Sequence, residues 1–89
     1  MLGFLGGRRP FSRLTEKEVL ALAISSEEDD ARIYATYADR LRKDYPATAA
    51  MFEEMVEEED GHRRALIAAF ERRFGSTIPL IRREHVAGY

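Results

Sequence analysis

The chain contains no cysteine and no long apolar run, and both absences limit what it can be. Without cysteine, neither a disulfide framework nor a thiolate zinc site can reinforce the fold, and thiols give no indication of the redox compartment. No apolar run reaches the roughly 20 residues that a transmembrane helix needs. Arg8 and Arg9 suggest an export signal, but the residues from Ser12 onward are polar and charged. We therefore expect a cytoplasmic protein.

The composition is that of one small soluble domain. The 89 residues are 45% hydrophobic and 34% charged, and the formal net charge is -2. Two acidic runs lie within this nearly neutral total: Glu27, Glu28, Asp29 and Asp30, and then Glu53, Glu54, Glu57, Glu58, Glu59 and Asp60. Such runs repel phosphate, so we expect no nucleic-acid partner. A core this small favours reinforcement by a metal ion or by oligomerisation.

Turn and capping residues divide the chain into three segments. Glycines and Pro10 make residues 1–14 an irregular N-terminal arm. Thr15 and Glu18 form a capping box, which predicts a first helix from about Glu16. Residues 15–75 form a helical hairpin, and residues 76–89 are a C-terminal tail that we expect to lead into a missing downstream region.

The two predicted helices are separated by a very short connection. Tyr45 precedes Pro46, which ends the first helix and suits the first turn of the second. The second helix is predicted to reach about Phe74, followed by Gly75 as a left-handed cap. So short a connection makes the two helices antiparallel.

Each helix carries one apolar stripe that metal-type side chains interrupt. The stripe of the first helix comprises Leu20, Ile24, Glu27, Ala31, Tyr34, Ala38 and Leu41, and that of the second comprises Phe52, Met55, Glu59, His62, Leu66 and Ala69. Glu27 lies 19 residues before Pro46, and Glu59 and His62 lie 13 and 16 residues after it. At about 1.5 Å per residue, all three lie within roughly two turns of one level. The pattern predicts a ligand cluster in a dry interior.

A hairpin with one apolar seam per helix cannot bury that seam alone, so we expect two copies to form a four-helix bundle as a homodimer or higher oligomer. Pairing brings two copies each of Glu27, Glu59 and His62 to one level, with a charge of about -4. Two divalent cations would neutralise that charge, and oxygen-rich ligation with one imidazole per metal suits iron or manganese, with zinc or cobalt as substitutes. Paired ferrous ions can reduce dioxygen or peroxide.

Three neighbouring residues leave alternatives open. Asp30, one turn after Glu27, is a further candidate metal ligand, although a solvated acidic surface is the commoner explanation. Tyr34 is a candidate to hydrogen-bond a ligand or donate an electron, and otherwise packs in the core. Gly61, in the middle of a helix, reflects either the close approach of a neighbouring backbone or simple tolerance.

With Glu27, Tyr34, Glu59 and His62 in place, the chain resembles the rubrerythrin-like branch of the ferritin superfamily. The segments 20–41 and 52–64 and the downstream Ile-Pro-Leu-Ile-Arg-Arg run are similar to the first half of the ferritin-like domain of bacterial membrane-bound ferritins. The resemblance implies a di-iron site, ligands at Glu27, Glu59 and His62, and iron export and peroxide resistance when a membrane domain follows in a longer chain. The second helix pair of that family is absent here, so either the chain is an excised half of that domain or a second copy supplies the missing ligands.

Two functions follow from these observations. The first is a di-iron carboxylate protein, all-α and ferritin-like, that binds and oxidises ferrous iron with dioxygen or peroxide, a ferroxidase-type activity. The second is a metal-free helical oligomerisation or docking module, in which Glu27, Glu59 and His62 form a polar network that sets the register.

Overall fold

Two long antiparallel helices make up most of the molecule. The computed structural model describes residues 8–89, in which α1 spans Glu16–Leu41 and α2 spans Pro46–Phe74. This confirms the all-α helical hairpin. Residues 1–7 of the predicted arm lie outside the described residues. Within residues 8–89, no helix is both long enough and apolar enough to cross a membrane.

Local sequence signals explain where the helices begin and end. The Thr15 hydroxyl accepts from the Glu18 N–H at 3.2 Å, and the Glu18 carboxylate accepts from the Thr15 N–H at 3.0 Å, which completes the capping box. Pro46 begins α2, where its missing N–H costs nothing. Gly75 has the positive φ of 88° that favours glycine, but its ψ of −173° lies outside the left-handed helical region that the sequence predicts. Its N–H still donates to the Glu71 carbonyl, so the helix end is satisfied.

Ion pairs join the helices at both ends of the hairpin. Near the connection, Arg42 bridges Asp39 of α1 and Glu53 of α2, with both contacts at 2.7 Å. At the open end, Arg73 pairs with Glu16 across 57 residues of sequence. Because these side chains are exposed, each pair contributes little to stability but is compatible with only one register of the helices.

The hydrophobic core lies at the open end of the hairpin. Its buried centre is formed by Ala21, Ile24 and Phe70, onto which Leu20, Leu66, Ile67, Phe74, Ile78 and Ile81 pack. The last two residues belong to the C-terminal tail. The tail therefore folds back along α1 and completes the core.

The tail also meets the N-terminal arm. Strand β1 (Arg9–Pro10) pairs in parallel with strand β2 (Val86–Ala87), and Val86 is only 1% exposed. The Arg8 guanidinium donates to the Val86 carbonyl at 3.3 Å. Short 3-10 turns at Phe11–Arg13 and Arg83–His85 adjoin these strands. Both ends of the described chain are thus anchored beside the open end of the helices.

Some large apolar side chains of the two helices are left uncovered by the hairpin. Tyr37 of α1 is 46% exposed and Met51 of α2 is 61% exposed. Met51, Met55 and His62 follow one another at spacings of four and seven, which places them on one side of α2. We call the side formed by Tyr37, Met51, Met55 and His62 the open stripe.

We expect Phe70→Ala to lower the free energy of unfolding by about 3 to 5 kcal/mol, because Phe70 is fully buried and its loss leaves a cavity in a small core. Leu80→Ala is the matched control, since Leu80 is 74% exposed, and it should change the free energy by less than about 0.5 kcal/mol. Urea denaturation at one fixed protein concentration measures both. Equal effects of the two substitutions would contradict this core assignment.

Candidate metal centre

Three side chains converge between the middle turns of the two helices. Glu27 projects from α1, whereas Glu59 and His62 project from successive turns of α2. One ligand atom from each of the three lies within 4.8 Å of the other two. The register counted from Pro46 therefore brings together the residues that the sequence analysis places at one level.

The distances from His62 Nδ1 to the two carboxylates suit ligands of one metal ion better than partners in a hydrogen bond. His62 Nδ1 lies 3.5 Å from Glu59 Oε1 and 3.7 Å from Glu27 Oε2, both too long for good hydrogen bonds. Two atoms that each lie about 2.1 Å from one metal ion are separated by about 3 to 4.2 Å, depending on the ligation angle. The observed spacing leaves room for a cation among the three groups.

The two carboxylates are shielded from solvent, but the imidazole is not. The Glu27 and Glu59 side chains are 23% and 18% exposed, whereas the His62 side chain is 63% exposed. Within one hairpin the carboxylates are therefore partly buried and the imidazole is exposed, so a single copy does not form the dry interior that the sequence predicts. The physical reason is that His62 lies on the open stripe, which nothing in a single hairpin covers.

Glu27 is in an environment that disfavours its negative charge. Its Oε2 atom is buried and is the one buried side-chain oxygen or nitrogen in residues 8–89 that lacks a hydrogen-bond partner. Burial raises the pKa of Glu27 to about 7, and the adjacent Glu59 carboxylate adds to this increase. His62 opposes the increase in the pKa, and the charge of Asp30 reinforces it. Near neutral pH the site is thus short of positive charge.

These features fit a metal ion of the kind that carboxylates and imidazole share. The donor set is two carboxylates and one imidazole, which suits iron, manganese, cobalt or zinc. The unpartnered Glu27 oxygen needs a donor or a cation, and the neighbouring side chains supply too little of either. A divalent ion would satisfy this atom and relieve the repulsion between the two carboxylates.

Asp30, the fourth candidate ligand, is not part of this cluster. Its Oδ1 accepts from Arg83 Nη1 of the C-terminal tail at 2.8 Å. Arg82 and Arg83 also approach Asp29, at 3.9 and 3.8 Å. These contacts of Asp29 and Asp30 with the tail were not predicted from the sequence. The adjacent arginines were a visible signal, but more than 50 residues separate them from their partners.

Tyr34, seven residues after Glu27 on α1, packs among aromatic rings. Its ring stacks on Phe52 with centroids 6.0 Å apart, and Tyr37 meets the same ring edge-on at 5.2 Å. These contacts agree with the core-packing alternative for Tyr34, and a role in electron donation remains a prediction. At Gly61, an added Cβ would meet nothing within 4 Å, so no backbone of the described chain approaches closely there.

The raised pKa of Glu27 predicts a stability difference that depends on pH. A carboxyl with a folded pKa of about 7 and an unfolded value of 4.5 favours folding most below pH 4.5, and this advantage is lost as the pH rises to about 7. In metal-free protein, the free energy of unfolding of the wild type minus that of Glu27→Gln should therefore decrease across this window and stay level above it.

The control for this measurement is Glu54→Gln, because Glu54 lies on the exposed side of α2. Its difference curve should lack the decrease between pH 4.5 and about 7 that Glu27→Gln shows. Chemical denaturation with a chelator present gives both curves. If the difference in unfolding free energy between the wild type and Glu27→Gln stays constant or increases with pH, the raised pKa of Glu27 is contradicted.

One protein-family model matches the chain. It is the model of rubrerythrin, and it matches residues 18–89, which include nearly all of both helices, the metal cluster and the C-terminal tail. No match was found among curated proteins or among solved structures. Because the model covers most of the chain, the family assignment does not depend on the three clustered side chains alone. The chain belongs to the rubrerythrin family.

Proposed function

We propose that this chain is a di-iron carboxylate protein that binds and oxidises ferrous iron. The observation that carries the proposal is the convergence of Glu27, Glu59 and His62 within 4.8 Å, together with the unpartnered Glu27 oxygen. Membership of the rubrerythrin family, which typically binds iron, supports iron as the metal. Ferrous iron is the substrate in this proposal.

The proposed site is completed by a second copy of the chain. One hairpin offers three ligands, too few for a pair of iron ions, and leaves His62 63% exposed. A partner hairpin on the open stripe would cover Tyr37 and Met51, which are 46% and 61% exposed, and would bring a second ligand set to the same level. The resulting homodimer is a four-helix bundle with two iron ions, four carboxylates and two imidazoles.

The three clustered residues would have different roles in the reaction. Glu59 and His62 hold iron from one face of α2, and Glu27 holds it from α1. In the metal-free protein the raised pKa lets Glu27 keep a proton near neutral pH, which it releases when a cation arrives. Two ferrous ions supply two electrons, so that hydrogen peroxide with two protons becomes two waters, or dioxygen with two protons becomes hydrogen peroxide.

In the cell, the same chemistry would serve iron detoxification or export and peroxide resistance. The support for this role is the resemblance of residues 14–89 to the first half of the domain that precedes the membrane part of membrane-bound ferritins. Removing free ferrous iron and peroxide together prevents the two from reacting with each other elsewhere. The place of this step in a longer polypeptide is part of the proposal.

Removing ligands should abolish both metal binding and oxidation. We expect Glu59→Ala/His62→Ala protein to oxidise ferrous iron no faster than buffer and to lose the thermal stabilisation that added manganese gives the wild type, because two of three ligands are gone. His85→Ala is the control, since His85 lies exposed in the tail, and it should behave as wild type. Stopped-flow absorbance and thermal melts provide the readouts.

Wild type that neither oxidises iron faster than buffer nor gains stability from metal would contradict the proposal. A dimer whose stability and stoichiometry are unaffected by chelation, in protein purified without any bound metal, would instead support the metal-free oligomerisation module.

The dimer proposal predicts that a charge on the open stripe separates the copies. Met51→Glu should shift the chain from dimer to monomer in analytical ultracentrifugation and abolish iron oxidation, while circular dichroism shows the helices intact. Leu80→Glu, at a residue that is 74% exposed on the tail, is the control and should remain dimeric. A Met51→Glu protein that stays dimeric and active would rule out this interface.

A further inference from the structure

The C-terminal tail delivers two arginines to the acidic run that contains Glu27. Arg83 Nη1 donates to Asp30 Oδ1 at 2.8 Å, in a partly buried contact. The Arg83 Nε lies 3.8 Å from Asp29, which Arg82 also approaches at 3.9 Å. Asp30 is thereby paired with the tail, and Asp29 lies between the tail arginines and Arg32 of α1, with which it forms a hydrogen bond, whereas Glu27 has no arginine partner in the described chain.

The tail is held firmly enough to keep Arg83 in place. The Ser25 hydroxyl donates to the Ile81 carbonyl at 2.5 Å, and the Tyr89 hydroxyl donates to the Ser26 hydroxyl at 2.9 Å. Val86, close to Arg83 in sequence, is 1% exposed and pairs with β1. The hydrogen bonds of Ile81 and Tyr89 are made with Ser25 and Ser26, the two residues that immediately precede Glu27. The tail therefore contacts the helical turn that carries Glu27 and also positions the Arg83 guanidinium.

Asp30 would otherwise be a competing ligand. It lies one turn after Glu27 on α1, and residues three apart lie on neighbouring positions of a helix surface. Its side chain is 35% exposed, so it remains accessible to a hydrated cation. Nevertheless, the ligand atoms that gather within 4.8 Å are those of Glu27, Glu59 and His62, and Asp30 is directed to Arg83 instead.

We propose that Arg83 determines the metal selectivity of the site by keeping the Asp30 carboxylate out of it. This inference rests on the proposed function. With Asp30 paired, each hairpin offers two carboxylates and one imidazole, a set in which nitrogen has a large share and which suits iron or cobalt. With Asp30 released, a third carboxylate would favour hard cations such as calcium, which prefers oxygen ligands alone.

Cobalt and calcium are the probes that separate these two ligand sets. Isothermal titration calorimetry on the full chain gives the dissociation constants of both ions for the wild type and for Arg83→Gln. Arg83→Gln should lower the ratio of the calcium constant to the cobalt constant by about tenfold, because it frees Asp30 for calcium. Arg83→Lys keeps a positive charge beside Asp30 and should stay close to the wild-type ratio.

A double variant tests whether Asp30 carries the effect. Arg83→Gln/Asp30→Asn removes both the guanidinium and the freed carboxylate, and should return the ratio to that of the wild type. Arg82→Gln removes the other arginine of the tail, which approaches Asp29 rather than Asp30, and it too should keep the wild-type ratio. Circular dichroism establishes that each variant retains its helices.

The outcomes distinguish this inference from the function on which it rests. An unchanged ratio in Arg83→Gln, a ratio that stays low in the double variant, or an equal change in Arg82→Gln would overturn the role of Arg83 while leaving cobalt binding intact. A wild-type chain that binds no cobalt would overturn the proposed function, and the selectivity role would fail with it.

Discussion

The central constraint of the structure is the partial burial of two adjacent carboxylates, Glu27 and Glu59, which the packing of α1 on α2 holds together. The hydrophobic core at the open end and the short connection at Pro46 set the register, and this register brings the carboxylates together. The consequence is an unpartnered oxygen and a pKa raised to about 7 on Glu27. A small domain has only about 5 to 15 kcal/mol of stability, so strain of this kind calls for compensation, which a bound cation would provide.

The C-terminal tail places positive charge beside part of the acidic run of α1. The four consecutive acidic residues of α1 face two different sides: Asp29 and Asp30 lie near arginines of the tail, whereas Glu27 and Glu28 face α2, where Arg63 lies 4.0 Å from Glu28. Each of Glu28, Asp29 and Asp30 therefore has an arginine within 4.0 Å, whereas Glu27 has the unpartnered buried oxygen. This difference is the reason for proposing Glu27, rather than its neighbours, as a metal ligand.

The hairpin and the cluster of Glu27, Glu59 and His62 could be predicted from the sequence because both follow from local rules. The capping box at Thr15 and Glu18 and the proline at Pro46 set the helix boundaries, and counting residues from Pro46 set the level of Glu27 against His62. The return of the tail along α1 was beyond such rules, since the contacts of Ile81 with Ser25 and of Arg83 with Asp30 join residues more than 50 positions apart. The exposure of His62 was also missed, because the periodicity of a stripe shows which side chains share a face but not what covers that face.

The central claim is that a cation belongs between the two helices, where the carboxylates converge. The most direct test is a crystal of the full chain soaked in ferrous iron, with anomalous diffraction collected at the iron edge. The account predicts anomalous peaks bounded by Glu27, Glu59 and His62 and by the same three residues of a symmetry-related copy. No iron peak at that level, with Glu27 and His62 turned away from each other, would contradict it.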